Sequence, residues 1–547
     1  MLGASLTCRL RPWSVVAVTL LAAGGLTACG SSNKASVSSV VAAALARPGP
    51  ESILQAEPEL HAAPRRTLDV LRALGVNRAR VYVPWAAIAP DPRSSRRPAR
   101  FQGAVPGAYP SANWSPYDRI VRGAHADGIG LDFTLSGPAP RWATGPGFPG
   151  GPYPGAWEPS ASDFGAFVEA VGTRYSGRFR PAGTSTALPA VRFWAIWNEP
   201  NYGPDLAPQA RDMSRLETSP RLYRGLLDAA WSALARSGHG RDTIVFGELA
   251  PRGITTGDNP GSFSGMVPLR FVRALYCVDS SLRPLQGPAA SARGCPADRG
   301  GSHDFPGRHP ALFRASGMSL HPYPQGNLAP DVVTPYEPDY ADLAALPTVE
   351  RTLDGLQSVY GSATRLPIYS TEFGYQTNPP EEIATAVTPA VAAAQLNHAE
   401  YLSWLDPRVR SYDQYQLVDP PGANRLGGFA TGLRFAGGSP KATFAAFRLP
   451  IYLPLTRAER GRELEVWGCV RPAPDAARST GRPQTVQVEL ATRAGARYRV
   501  ITTVTVANPH GYFDVPVKFP SSGVARLRWA YPNGIAVFSR PVSITIR

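Results

Sequence analysis

Between residues 51 and 452, short runs rich in β-branched and aromatic residues alternate with helix-like stretches, and this alternation narrows the fold more than any other feature of the chain. Residues 76–85, 130–135, 191–197, 243–247, 317–321, 367–371 and 409–417 read as strands, with a weaker first strand at 52–55. Helical patterns fall at 67–74, 162–175, 221–236, 267–277, 348–360, 388–405 and 441–447, and Ser162 or Asp163 is the expected cap of the second. Strand–helix alternation on this scale implies an α/β fold with a parallel sheet. About eight such units with long loops favour a (β/α)8 TIM barrel, in which functional side chains gather at the C-terminal ends of the strands. The 53 glycines and 57 prolines supply the turns that an elaborate loop face requires.

After about residue 456 the period changes. Val486, Val488 and Leu490 alternate with Gln487 and Glu489, and Val542, Ile544 and Ile546 alternate with Ser543 and Thr545. Half-buried strands separated by turns predict a small C-terminal all-β sandwich over 456–547, immunoglobulin-like by pattern alone.

The formal net charge is +15, nearly all of it from arginine, because Lys34, Lys441 and Lys518 are the only lysines. No zinc-finger spacing, basic helix or basic–aromatic motif accompanies the charge, so no nucleic-acid partner is expected. The densest basic run, from Arg93 to Arg100, lies in a Pro-rich loop and reads as a solvated loop or a contact to an acidic glycan or anionic envelope. At the N-terminus, Arg9 and Arg11 precede an apolar run from Trp13 to Ala23, followed by Leu26-Thr27-Ala28-Cys29. The pattern reads as a signal peptide over 1–28, too short to span a bilayer comfortably. Its last four residues resemble a bacterial lipobox, which implies lipidation of Cys29 and a flexible tether over 29–50; ordinary secretion is the alternative. An exported protein held at the outer face of a bacterial membrane follows from the first reading. Cys8 would leave with the signal. Cys277 and Cys295 are expected to form a disulfide, worth about 3 kcal/mol in the chain-entropy picture. Cys469, in an apolar strand, is expected to be a buried free thiol.

The chemistry concentrates in two strand-end motifs. Trp197-Asn198-Glu199-Pro200-Asn201 follows directly on the strand at 191–197. It resembles the acid/base motif of clan A glycoside hydrolases, the (β/α)8 retaining enzymes, whose acid/base Glu follows the fourth strand and is preceded by Asn. Ile368-Tyr369-Ser370-Thr371-Glu372-Phe373-Gly374-Tyr375 ends a strand three positions later, and Glu372 resembles the nucleophile of the same clan. Two carboxylates suit acetal cleavage, which needs a proton on the leaving oxygen and negative charge beneath an oxocarbenium-like centre. The retaining route expects their carboxyl groups ~5–5.5 Å apart, with Glu199 protonated and Glu372 ionised. No metal or cofactor is called for, and no cluster has metal-ligand spacing.

The resemblance implies further roles. Arg80 corresponds to the residue of family 5 enzymes that orients the nucleophile. Tyr323, in His321-Pro322-Tyr323, is the expected partner of the nucleophile, and His321 the expected contact to nucleophile and sugar. Asn198 would bond the sugar 2-hydroxyl. Glu248 ends another strand and reads as structural. Trp85, Trp142 and Trp197 are candidate stacking faces for a pyranose. Trp-Asn-Glu-Pro-Asn is closer to family 39, while Glu-Phe-Gly and the Arg80 segment are closer to family 5. The expected activity is hydrolysis of a glycosidic bond in an extracellular carbohydrate, with no obligate protein partner. The rivals are a non-catalytic carbohydrate-binding lipoprotein on a decayed barrel and a transglycosylase using the same residues. No G-x-S-x-G elbow or H-E-x-x-H cluster supports an esterase or a metallohydrolase.

Overall fold

The computed structural model describes residues 47–210, 216–254, 261–334, 337–423 and 428–547. Eight parallel strands close into a barrel in chain order: β1 (Glu51–Gln55), β2 (Arg78–Pro84), β3 (Gly130–Ser136), β4 (Phe193–Ile196), β5 (Thr243–Leu249), β6 (Gly317–Leu320), β7 (Ile368–Ser370) and β8 (Val409–Tyr415), with β8 pairing back to β1. The principal helices around it are α1 (Pro64–Leu74), α2 (Ser111–Asp127), α3 (Ala161–Arg174), α4 (Ser219–Arg236), α5 (Pro268–Leu275), α6 (Leu346–Val359), α7 (Pro389–Leu405) and α8 (Ala442–Arg448). The expected TIM barrel is therefore present.

Local chemistry explains where several elements begin and end. In α1, Leu68, Leu71 and Leu74 recur at helical spacing and are buried. The helix stops at Gly75, whose φ of 75° is the left-handed conformation that glycine adopts without strain. A Cβ there would also lie 2.2 Å from the Arg471 carbonyl carbon, so the C-terminal domain approaches the barrel closely at this glycine. The cap of α3 is Ser160, which accepts the N–H of Asp163; neither Ser162 nor Asp163 plays that part. Helix α2 has no counterpart among the sequence expectations, because Pro116 interrupts its pattern and no side chain caps it.

The C-terminal domain stacks two sheets, one ordered β10 (Arg457–Ala458), β17 (Val542–Ile546), β15 (Gly523–Ala530), β12 (Gln484–Ala491) and β13 (Arg499–Val506), with β16 (Ala536–Phe538) on β15. The other is β14 (Tyr512–Lys518), β11 (Glu463–Cys469) and β9 (Ile451–Tyr452). Val466, Val486, Val488, Leu527 and Trp529 fill the core between them. Residues 451–452, expected at the end of the barrel segment, are corrected to the sandwich, since β9 pairs with β11. The two domains share a seam. Arg471 donates to Glu400 of α7 at 2.5 Å, and Tyr512 donates to Glu400 at 3.0 Å. Trp404 and Tyr401 of α7 pack on Trp467.

Cys277 and Cys295 form the expected disulfide, with Cα atoms 5.6 Å apart. Cys469 is free and buried, and burial raises its thiol above the ordinary range. The signal segment, Cys29 and nearly all of the tether lie outside the described residues. Among the described residues no helix is long and apolar enough to cross a membrane.

Candidate active site

The site is assembled at the C-terminal mouth of the barrel around one buried arginine. Arg80 points inward from β2 and is wholly buried. Each of its donor nitrogens is engaged. Nε donates to Thr134 of β3 at 3.0 Å; Nη1 donates to Gln55 of β1 at 2.6 Å and to Glu372 at 2.5 Å. Nη2 donates to Asn198 at 3.0 Å and to Glu248 of β5 at 2.6 Å. The planar guanidinium thus ties together side chains from five other strands or strand ends, a geometry that lysine could not reproduce.

Glu372 lies two residues beyond β7. Besides Arg80, it accepts the Tyr323 hydroxyl at 3.0 Å. Glu199 lies three residues beyond β4, and its Oε1 is 2.9 Å from His321 Nδ1. The other imidazole nitrogen is 3.3 Å from Glu248. His321 Nδ1 is also 3.6 Å from Glu372. Both ring nitrogens face carboxylates, so the doubly protonated ring satisfies them. Burial works against that charge, but Glu372 and the hydrogen bonds to Glu199 and Glu248 outweigh it and lift His321 to about 10. Glu248 is held ionised, down to about 2: burial opposes this, and Arg80 and His321 overcome it. Oxygens of Glu199 and Glu372 lie within 4.8 Å of each other.

The backbone is strained at this mouth. Trp197, Glu199 and Glu248 have φ of 67°, 36° and 47°. Such conformations cost about 1–3 kcal/mol each for a residue with a side chain and cluster at functional sites. A break in register between Phe246 and Leu249 accompanies them in β5 and turns Glu248 inward. Gly247 permits it with φ of 115°; a Cβ there would sit 2.6 Å from Ser319 O. The Glu248 carbonyl then receives the N–H of Glu199 at 2.9 Å, so the strained pair is cross-linked.

Glu199, His321 and Glu372 are also spaced so that one donor atom from each could surround a metal ion. Their chemistry does not suit one. Both imidazole nitrogens are turned to carboxylates that favour the protonated ring, and Glu372 already holds the Arg80 cation.

The structure brings together Glu199, Glu372, Arg80, Asn198, His321 and Tyr323. His321 lies 3.6 Å from Glu372, the expected contact, and hydrogen-bonds Glu199 and Glu248. Glu248 is structural in position, fully buried beneath the mouth, with Thr371 donating to its other oxygen at 2.7 Å. The tryptophans need correction. Trp85 is completely buried, stacked on Phe167 in the barrel's outer core, and cannot meet a sugar. Trp197 is equally buried against Phe164. Trp142 is half-buried, its Nε1 bonded to Pro90 O at 3.0 Å and its ring packed edge-on against Trp85 and Phe101. A strand-end aromatic faces either the mouth or the helix layer, and sequence alone does not separate the two. The exposed aromatic beside Glu199 is Tyr202, at 42% exposure, in the loop after β4.

Sequence reading also passed over Gln55, Thr134, Thr371, Glu57 and Asp205. Glu57, just past β1, is pushed up to about 8, chiefly by burial against the pull of Arg80. Asp205 is held well above the usual carboxylate range by burial and by Glu199. Position at or just past a strand end is the signal available for Gln55, Glu57 and Thr371.

No protein-family model matches the chain, and no curated protein matches it. In fold it is similar to a family 39 glycoside hydrolase from Bacteroides cellulosilyticus WH2, at 15% identity over 86% of this chain and 80% of that one, with a TM-score of 0.44. It is similar to GH5_18 from Streptomyces cattleya in complex with GlcNAc, at 15% identity, 75% and 84% coverage and a TM-score of 0.44. An endo-beta-1,4-mannanase from Thermotoga petrophila aligns at 12% identity, 91% and 98% coverage and a TM-score of 0.38. At these identities the likeness is one of fold.

Proposed function

We propose that the protein is a retaining glycoside hydrolase acting on an extracellular carbohydrate, with Glu372 as nucleophile and Glu199 as acid/base. One observation carries the reading. Two carboxylates from the ends of β4 and β7 face each other across the barrel mouth, with oxygens within 4.8 Å, and each is held by its own donor. That closeness of the oxygens is compatible with the ~5–5.5 Å between carboxyl groups in retaining enzymes and supports that route over the ~6.5–9.5 Å of an inverting pair.

In the first half-reaction Glu199 gives its proton to the departing glycosidic oxygen while Glu372 attacks the anomeric carbon. Arg80 and Tyr323 hold the Glu372 carboxylate in one orientation, so little reorganisation is needed as the bond forms. In the second, Glu199 takes a proton from water, which displaces Glu372 from the sugar. Asn198, whose Oδ1 accepts from Arg80 at 3.0 Å, is next to Glu199 in sequence and is assigned to the sugar 2-hydroxyl.

Glu372→Gln and Glu199→Gln are each expected to lower turnover of an aryl glycoside by at least about 10²–10⁴-fold. Azide should partly restore Glu199→Ala and give a glycosyl azide of retained configuration. Near-wild-type turnover in either Gln variant would sink the assignment. The export and lipidation read from residues 1–29 form part of the proposal: Cys29 is lipidated, and acyl chains hold the protein at the membrane. Detergent-phase partition that survives Cys29→Ser would rule this out.

A further inference from the structure

We infer that the site binds a glycan bearing a carboxylate or sulfate group, through an anion subsite at Arg252; the inference rests on the glycosidase reading above. A small cavity of about 50 Å³ lies between Tyr323 and Gly374, next to the segment that carries Glu372. That is well below the size of a whole-ligand site, so it takes the oxyanion substituent of a sugar whose ring sits in the barrel mouth. Its wall includes Arg252, Tyr323, Asn327, Gln376 and Phe429. Tyr323 is shared with the catalytic centre, since its hydroxyl holds Glu372 at 3.0 Å and its ring meets Phe429 edge-on at 5.1 Å.

The guanidinium of Arg252 sets this cavity apart. It is half-buried, three residues past β5, and makes no hydrogen bond or ion pair among the described residues. Its backbone is fixed on both sides, by Pro251 O receiving the Ala341 N–H and by Ile254 donating to Gly265. Asp342 senses the Arg252 charge, but its carboxylate caps the N–H of Ala345 at 3.0 Å and forms no ion pair with the arginine. Asn327 Oδ1 is taken by the Gln376 N–H at 2.9 Å, which leaves the Asn327 amide nitrogen as a second donor on the same wall. Gln376 is engaged with Glu381 at 2.7 Å.

Charge balance points to the ligand. At the catalytic centre Arg80 and His321 are matched by Glu248 and Glu372. Burial pushes both Glu57, to about 8, and Asp205 upward. Among the described residues Arg252 thus has no ion-pair partner, and it is half-buried on the same wall as Tyr323. A partly buried guanidinium is best satisfied by a planar or tetrahedral oxyanion accepting two N–H bonds. Carboxylate and sulfate share that chemistry, and a neutral sugar lacks it.

The test is equilibrium binding of glucuronate, galacturonate, glucose 6-sulfate, galactose 6-sulfate, glucose and galactose to the full-length protein by isothermal titration at low and moderate salt. The expected result is that at least one acidic sugar binds about tenfold tighter than its neutral counterpart. Its advantage should shrink as salt rises, fall to near unity in Arg252→Gln, and survive in part in Arg252→Lys. Preference for the uronates identifies carboxylate, and preference for the 6-sulfates identifies sulfate. No acidic preference in any pair, or a preference untouched by Arg252→Gln, overturns the inference. Binding needs no turnover, so failure here is distinct from failure of the hydrolase reading, which shows as undiminished turnover in Glu372→Gln.

Discussion

Replacing Arg80 by Met keeps the bulk of a long side chain and removes every donor at the centre of the site. The consequence follows from what Arg80 leaves behind. Glu248 is wholly buried and ionised, 2.6 Å from the guanidinium, and would retain only His321 at 3.3 Å and the Thr371 hydroxyl. Removing one partner of a buried ion pair costs about 3–5 kcal/mol, because the other charge stays desolvated. Urea unfolding followed by tryptophan fluorescence should therefore show the barrel transition shifted down by on the order of 1 M. If the stranded Glu248 charge is the cause, Glu248→Gln should be stabilising in the Arg80→Met background, recovering about 2 kcal/mol, although it is destabilising alone. An Arg80→Met/Glu248→Gln chain that unfolds at the same urea concentration as Arg80→Met would refute this account and assign the loss to packing.

Tyr323→Phe removes one of the two hydrogen bonds on Glu372. A bond to a charged group is worth about 1.5–3 kcal/mol, so turnover should fall roughly 10–100-fold with folding intact, as steady-state kinetics and circular dichroism would show. Stability should decline as pH rises from about 6.5 to 10. The raised His321 contributes stability that is full below its unfolded value near 6.5 and is lost as pH rises through about 10. Glu57 and Asp132, both pushed up to about 8 by burial, also hold extra protons in the folded state and act in the same direction. Thermal unfolding across pH 5–10 checks the sign, and a melting temperature that rises between pH 7 and 9 would contradict it. Reducing Cys277–Cys295, which closes a sequence separation of 18, should cost about 3 kcal/mol, read as a drop in melting temperature with reductant that is absent in the double Ser variant. Arg471→Met should cost about 3–5 kcal/mol by stranding Glu400 in the seam between barrel and sandwich, seen as a lowered melting temperature.

How much of this was legible in the sequence depends on whether the signal was local. Glu199 and Glu372 stand in short motifs directly after apolar strands, and a barrel sends such residues to one rim, so position and chemistry could be read together. Arg80 and Tyr323 came from resemblance, and the contacts to Glu372 agree. Gln55, Thr134 and Thr371 are common residue types whose importance exists only once β1, β3 and β7 are closed around Arg80. Glu57 and Asp205 are ordinary acids in sequence and unusual only through burial. Trp85 was misread because a tryptophan after β2 carries no mark of which layer it faces. Helix α2 was lost to Pro116, and the boundary at Ile451 to the brevity of β9, a two-residue strand recognisable only from its pairing.

His321 at first looks badly placed for the proposed chemistry. A buried imidazolium lies 2.9 Å from Glu199, a residue that must begin protonated. The difficulty dissolves when the charges are followed through both half-reactions. Before attack, Arg80 and His321 carry two positive charges, Glu248 and Glu372 two negative ones, and Glu199 holds its proton. In the glycosyl-enzyme Glu372 has lost its charge to the ester and Glu199 has gained one by giving up the proton. The sum within the buried cluster is zero at both stages, so neither is penalised by an uncompensated charge in a low-dielectric site. What moves is the location of one negative charge, from Glu372 to Glu199. His321 Nδ1 lies 2.9 Å from Glu199 and 3.6 Å from Glu372, between the two places that charge occupies. Arg80, by contrast, is tied to Glu372 and Glu248 and steadies only the first state. Removing His321 should therefore slow breakdown of the glycosyl-enzyme more than its formation, because of the two reacting carboxylates only Glu199 loses its hydrogen-bond donor. His321→Asn should accumulate a covalent intermediate on an activated substrate, visible as a burst of released phenol and as added mass on the peptide containing Glu372. A variant that is slow without any burst would place the role of His321 in the first step instead.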